Sequence, residues 1–332
     1  AVMGSKNLKA IAIKGTGKLQ FHDPAALKAL AGWGAKEFDE SDVYTMGLYG
    51  TAETVAPQQD DGGLPTRNWT SGVFEGFEPI TGETMSKTIL KERDTCYACV
   101  VRCKRVVEIA EGDFEVDPHY GGPEYETLAT FGSYCGVDDL AAISKANEIC
   151  NKYGMDTISC GATIAWAMDC FEHGLITDHD TGGLELNFGN AAAMVTLTEQ
   201  IAKREGFGDV LAEGSARAAE RFGPAAQDLV VAVKKHEVPA HMPEVKRSLA
   251  LIYAANPYGA DHQSHEHDPS YGDYPDRMAE LGLVDAQPDD VLNEEKVRFS
   301  VITQHFYSLM NTVGVCQFVW GPSWQLYGPG QL

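Results

Sequence analysis

The chain is short of positive charge. Its 26 lysines and arginines stand against 48 aspartates and glutamates, a formal charge of −22. A surface of that sign repels phosphate backbones and anionic membranes, which argues against nucleic acid as a partner. Long apolar runs are also missing: stretches such as Leu249–Ala255 fall far short of the roughly 18–20 residues a bilayer crossing needs, so no membrane span is expected. There is no initiator methionine, basic leader or apolar signal core. The opening Ala1-Val2-Met3-Gly4 and the closing Gly328-Pro329-Gly330-Gln331-Leu332 lead us to expect a piece of a longer protein. Repeats of fixed period are absent. What remains is ordinary globular material: 332 residues, 44% hydrophobic and 22% charged, enough for about two domains. The eight cysteines, at 96, 99, 103, 135, 150, 160, 170 and 316, read as ligands or core thiols of a cytoplasmic protein rather than as disulfides.

The periodicity predicts a mainly α fold. Leu8–Gly15 alternates weakly and reads as a severed strand. Asp23-Pro24 starts a helix carrying Leu27 and Leu30, and residues 58–77 read as a long surface connection rich in Gly, Asp and Pro. An amphipathic helix is expected over Asp138–Tyr153 with Asp138 as N-cap and Gly154 just past its end. Thr157–His173 follows, and its small residues Ser159, Cys160, Gly161, Ala162, Ala165 and Ala167 predict close packing. Further helices are expected over Ala191–Glu205, Ala212–Phe222 and Asn293–Met310, the last periodic through Val297, Val301 and Phe306. Val230–Val233 reads as a strand. Trp320, Trp324 and Tyr327 read as packing residues. A boundary near 223–235 divides the chain into 1–22, the remnant of an N-terminal β domain, and two helical domains, 23–228 and 229–332.

Cys96-x2-Cys99-x3-Cys103 lets one loop present three thiolates to a compact inorganic core, as in iron–sulfur sites. A zinc site commonly uses two separated Cys-x2-Cys knuckles, and no second knuckle exists. The fourth ligand is open among Cys135, Cys150, Cys160, Cys170 and Cys316. The three at 150, 160 and 170 lie in expected helices and read as core, whereas Cys316 follows Gly314 at a helix end. Asn151-x-x-Gly154-Met155-Asp156 and Asn311-x-x-Gly314-Val315-Cys316 share one form. Each closes a helix where Gly permits a left-handed turn that frees polar groups for a ligand. His262-x2-His265-x-His267 beside Asp261, Glu266 and Asp268 offers a rival zinc site, and a zinc hydrolase built on it is one competing reading. Lys91, Arg93, Arg102, Lys104 and Arg105 make the cysteine region locally basic.

These motifs, with Ala1–Ile11, Gly122-Pro123-Glu124-Tyr125-Glu126-Thr127 and Gly259-Ala260-Asp261-His262, together resemble the tungsten-containing aldehyde ferredoxin oxidoreductases, in that family's order and across essentially the whole chain. The resemblance implies two helical domains of that type, with the N-terminal β domain and the C-terminal end absent. It implies a tungsten (or molybdenum) bis-pterin held by Asn151, Gly154, Met155 and Asp156 and by Asn311, Gly314 and Val315. It also implies a [4Fe-4S] cluster on Cys96, Cys99, Cys103 and Cys316, with Glu126 and His262 as the acid–base pair and Glu124 as a less favoured substitute for Glu126. The family usually has Asp where Asn151 and Asn311 stand. Asn keeps an acceptor but loses the charge. The implied activity is oxidation of aldehydes to carboxylates, with electrons passed to ferredoxin or an iron–sulfur partner subunit that the basic loop could dock. A homo-oligomer is compatible with it. His236 and His241 are expected to line the substrate funnel. The alternatives are the active subunit of a class II benzoyl-coenzyme A reductase type enzyme and an electron-transfer module lacking the catalytic metal.

Overall fold

The computed structural model describes residues 2–331; Ala1 and Leu332, the outer ends of the expected flanking segments, lie outside the described residues. Two compact units make up the chain, residues 1–39 and 40–332. In the first, a short helix Val2–Ser5 precedes irregular backbone. The strand expected over Leu8–Gly15 is not formed, because no described strand pairs with it and a lone strand leaves its backbone groups without a ladder. The helix Pro24–Glu37 starts as expected: Asp23 Oδ1 accepts from the N–H groups of Ala25 and Ala26 at 3.0 and 2.9 Å.

The second unit is helical around a large buried cluster drawn from residues 52–240. A smaller cluster is centred on Tyr271, Phe299, Trp320 and Trp324, and a third on Leu249 and Ile252. The buried tryptophans at 320 and 324 are the packing residues expected. Helices Leu140–Tyr153, Thr157–Glu172 and Ala191–Lys203 fall where periodicity places them. The first is capped by Asp139, whose Oδ1 accepts from Ala141 and Ala142, rather than by Asp138. Of the helix expected over Ala212–Phe222 only Ser215–Ala219 forms, after a separate short helix Phe207–Leu211, since Gly214 at φ 84° turns the chain out of helical geometry.

Two apolar readings are corrected. In Glu294–Val313 the buried face carries Phe299, Thr303, Tyr307 and Met310, and Val297 and Val301 are exposed; the stripe that starts at Phe299 outweighs the valine stripe because aromatic area dominates burial. Residues 58–77 are no surface loop: Leu64, Thr66, Asn68 and Phe74 are buried. Arg67, Asn68 and Trp69 all take positive φ, and the N–H groups of Arg67 and Asn68 bond Ser133 O and Tyr134 O. The strand expected over Val230–Val233 is reduced to Ala232–Val233, paired with His236–Glu237.

The expected close packing is present. A Cβ on Gly161 would lie 2.7 Å from the carbonyl carbon of Thr130, so helix Thr157–Glu172 lies against helix Tyr125–Phe131 at a separation only glycine permits. Gly161→Ala should lower the stability of the protein by about 1–3 kcal/mol in urea unfolding; an unchanged midpoint would show that this contact does not set the helix spacing.

Candidate active site and cysteine loop

The site is built on the first turn of helix Tyr125–Phe131. Consecutive side chains there hold one distant segment: Tyr125 OH donates to Ala240 O at 2.5 Å, and Ala240 N–H donates to Glu126 Oε2 at 2.8 Å. Tyr134 OH donates to Val238 O at 3.1 Å and Tyr253 OH to His241 O at 2.9 Å. Burial pushes all three phenols up, so they remain donors. The segment 238–241 is thereby fixed with His241 turned to Glu126.

Glu126 Oε1 lies 3.3 Å from His241 Nε2 and 3.3 Å from His262 Nε2. It is buried and makes no hydrogen bond of its own. The two imidazoles stack at 4.6 Å and 26°, with the His267 ring edge-on to His241 at 4.9 Å. Gln58 Nε2 sits 2.7 Å from His241 Nδ1, and His267 Nε2 lies 2.9 Å from His262 O. Burial pushes the Glu126 carboxyl above the usual carboxylate range, with His262 opposing. Burial also holds His262 down to about 4, with Glu126 opposing, and His241 well below its ordinary value, assisted by Lys246. Low local dielectric therefore penalises the charge on each group, which makes Glu126 a readier proton acceptor and keeps His262 neutral.

Glu124, the N-cap residue of the same helix, points elsewhere. Its carboxylate accepts from Thr51 Oγ1, which in turn accepts from Tyr125 N–H at 2.9 Å. His241 faces Glu126, whereas His236 lies in the hairpin packed near Gly259.

The three histidines proposed as a rival zinc site do not converge. His265 Nε2 lies 3.1 Å from Ser248 Oγ, which donates to Asp268, and Asp268 pairs with fully buried Lys296. The structure brings His262 together with Glu126 and His241 instead; no spacing in the sequence signals that, since 115 residues separate Glu126 from His241 and the contact depends on the 238–241 segment.

The cysteine loop closes an antiparallel hairpin of Leu90–Asp94 with Lys104–Val107. Ala98 and Arg102 take left-handed φ of 54° and 55°, immediately before Cys99 and Cys103. Arg105 is 2% exposed and donates to the carbonyls of Leu48, Gly47 and Arg102; it is a scaffold, and the expected surface charge reduces to its neighbours. Glycines that sequence reading passed over support the loop. A Cβ on Gly47 would come 2.7 Å from Val101 O, and one on Gly50 would come 3.0 Å from Cys103 O.

Cys96, Cys99, Cys103 and Cys316 are free thiols. Cys103 is pushed up to about 11, first by burial and then by Glu124, Cys316 and Cys99, so Cys316 lies within electrostatic reach of the loop. A donor set whose thiolates disfavour one another is one that a cationic centre reverses; the set fits an iron–sulfur cluster. Cys135, Cys150, Cys160 and Cys170 are buried in the core.

The two Asn-x-x-Gly motifs form the same corner. Gly154 takes φ 72° and ψ 39°, and Gly314 takes φ 73° and ψ 33°, each ending a long helix. Asp156 and Cys316 then stand at the N-caps of the next helices. Asp156 Oδ2 accepts from Ser159 N–H at 2.9 Å, while Cys316 makes no such bond and its sulfur stays available. A cleft of about 900 Å³ is lined by Glu124, Glu126, Asn151, Asp156, Lys104 and Arg105 among others. Carboxylates outnumber cations in its lining, so its oxygens and helix corner fit the N–H donors of a polar ring cofactor. Asn151 Nδ2 donates to Tyr120 O at 2.8 Å, leaving its oxygen to accept, and the Met155 side chain packs on the core. Asn311, Gly314 and Val315 are not among the cleft's lining residues.

His265 gives a pH test. Burial, opposed by Asp268, holds it down to about 4. The unfolded chain binds its proton near the ordinary value of about 6.5, so stability is intact above that value and falls with pH toward 4, by on the order of 3 kcal/mol at full effect. His265→Gln should flatten the dependence of the urea midpoint between pH 7 and 4.5; a wild-type slope in the variant would assign acid lability elsewhere.

The family profile described as "Aldehyde ferredoxin oxidoreductase, domains 2 & 3" matches residues 28–330. The chain is 38% identical over 325 residues to the tungsten-containing aldehyde ferredoxin oxidoreductase of Pyrococcus abyssi, covering 96% of this chain and 51% of the relative. It is 36% identical over 323 residues to that of Pyrococcus furiosus, with the same coverage. An aliphatic sulfonate oxidoreductase, WOR-like subunit, of Pyrococcus furiosus is 30% identical over 272 residues, 80% of this chain and 43% of the relative. The chain spans about half the length of the curated relatives it matches. Among solved structures, the active site complex BamBC of benzoyl coenzyme A reductase with 1,5-dienoyl-CoA shares the fold, with a TM-score of 0.61 and 21% identity, over 80% of this chain and 41% of that one.

Proposed function

The chain belongs to the aldehyde ferredoxin oxidoreductase family, and we propose that it contributes the proton-transfer and electron-exit residues of an enzyme that oxidises aldehydes to carboxylates. The observation that carries this reading is Glu126 Oε1, buried and unbonded, 3.3 Å from two imidazole nitrogens at the wall of the cleft. A tungsten (or molybdenum) bis-pterin supplies the two-electron sink when bound, and a [4Fe-4S] cluster supplies the exit. Asn151, Gly154, Met155 and Asp156 hold one pterin; Asn311, Gly314 and Val315 hold the other. Cys96, Cys99, Cys103 and Cys316 hold the cluster. We place the division between the two helical domains near 228/229.

The overall change, aldehyde plus water to carboxylate, three protons and two electrons, requires proton acceptors where water is scarce. Glu126 accepts a proton on Oε1 while Ala240 N–H keeps Oε2 fixed, so the carboxylate does not rotate away from substrate. His262 takes or returns that proton through Nε2, and its neutral resting state suits it to accept. The stacked His241 ring and the three phenols keep bulk water from the pair.

Identity of 36–38% to aldehyde oxidoreductases favours the aldehyde reading; likeness to the benzoyl-coenzyme A reductase complex, at 21% identity, extends to fold alone. Among the described residues no helix is long and apolar enough to cross a membrane, and we propose a cytoplasmic enzyme.

In the full-length protein, purified anaerobically with its metals counted, Glu126→Gln should lower kcat for aldehyde oxidation by about 10²–10⁴-fold with tungsten and iron content unchanged. Wild-type turnover with full metal content would remove Glu126 from proton transfer. Ferredoxin, or an iron–sulfur partner subunit, is proposed to dock at the exposed Arg102 and Lys104 beside the cysteines. Arg102→Glu with Lys104→Glu should raise the KM for an acidic ferredoxin severalfold at low salt and leave reduction of a small viologen dye unchanged; an equal loss with both acceptors would point to damage at the cluster.

A further inference from the structure

Glu126, His241 and His262 offer a donor set that proton transfer does not exhaust. Their ligand atoms all lie within 4.8 Å of one another, and Oε1 stands 3.3 Å from each Nε2. A tetrahedral zinc centre with bonds of about 2.0–2.1 Å sets its donors about 3.3 Å apart, and two histidines with one glutamate are a known three-ligand zinc set with an open fourth position. A buried carboxylate oxygen with no hydrogen bond, aimed between two imidazole nitrogens, is what such a site presents before it is filled.

The supporting shell agrees. Oε2 is anchored by Ala240 N–H. A metal on His241 Nε2 puts the ring proton on Nδ1, which then needs an acceptor 2.7 Å away at Gln58. Gln58 Oε1 is itself buried without a partner, and turning the amide over lets it accept that proton while Nε2 takes its place. Such a bond orients a ligating histidine and raises its basicity. Glu126 lines the cleft, which gives a cation and one water a path to the three donors.

We propose that Glu126, His241 and His262 bind one divalent cation of the zinc type, with water in the fourth position, and that the bound cation blocks the site. It occupies the lone pairs of Glu126 Oε1 and His262 Nε2, so neither atom can take up a proton. The proposal goes beyond the aldehyde reading and does not rest on it, because the three donors converge whether or not they serve catalysis.

The test uses full-length protein made in a host lacking the pterin and its metal, with Cys96, Cys99 and Cys103 changed to serine to remove thiolate competitors. Titration with Zn²⁺ should give one site per chain, and zinc X-ray absorption should show two imidazoles and oxygen without sulfur. Glu126→Gln and His262→Gln should abolish stoichiometric binding. Gln58→Leu should weaken binding by about 10–100-fold while leaving the metal-free circular dichroism spectrum unchanged. No zinc bound at one equivalent, a sulfur-containing shell, or affinity indifferent to Gln58 and His262 would each overturn the proposal. If a histidine variant fails to fold, the absorption spectrum and Gln58→Leu decide alone. Because zinc binding is read without the redox cofactor, its failure leaves the aldehyde reading untouched, and loss of turnover in Glu126→Gln leaves the zinc site untouched.

Discussion

The site depends on the hydrogen bonds that fasten the segment 238–241 to helix Tyr125–Phe131. Glu126 and Ala240 are 114 residues apart, yet an N–H on one and a carboxylate oxygen on the other meet at 2.8 Å, next to the Tyr125–Ala240 bond at 2.5 Å. These bonds are made away from water, where a lost partner costs the desolvation of the group left behind. They do two things together: they satisfy backbone groups that could not otherwise be buried, and they divide the Glu126 carboxylate into one fixed oxygen and one that remains reactive. The position of His241, and through stacking that of His262, follows from the same attachment.

A second constraint is the helix corner used twice. In both copies a left-handed glycine ends one helix and the residue two positions on caps the next. Where that residue is Asp156, the side chain is spent on the helix start; where it is Cys316, the start goes uncapped. An N-cap bond contributes about 0.5–2 kcal/mol, so the second corner gives up local stability and keeps a sulfur free. That sulfur lies within electrostatic reach of Cys103, whose thiol it helps to raise.

Much of this was legible in the sequence where the signal is local. The paired left-handed glycine corners and the helices with strong period match the structure because each is set within a few residues. What escaped depends on distant partners. Residues 58–77 look like a polar loop, yet Leu64 and Phe74 anchor them in the core, and their polar groups find backbone partners at Ser133 and Tyr134. Arg105 looks like surface charge, yet its guanidinium is consumed by four carbonyls. Val297 and Val301 look like a core stripe until Phe299 and Tyr307 claim the interior. The contact of His241 with Glu126 escapes the sequence because nothing near it in sequence names Glu126.

The cysteine loop shows how little of its form its own residues favour. Ala98 and Arg102 sit in the left-handed region, at a cost of roughly 1–2 kcal/mol each for residues with a side chain, and burial with like-charged neighbours raises Cys103. The loop is held by what surrounds it: the Gly47 and Gly50 approach, which only glycine permits, and Arg105 bonded to both the loop and the helix Met46–Tyr49 that bears against it. A backbone kept in an unfavourable conformation by its scaffold is already shaped for a ligand, so little further ordering is needed on binding. The electrostatic strain among the thiols then acts in the same direction, since a cationic centre relieves it. Shape and charge at the loop are thus set by its surroundings, and neither can be read from the three cysteines alone.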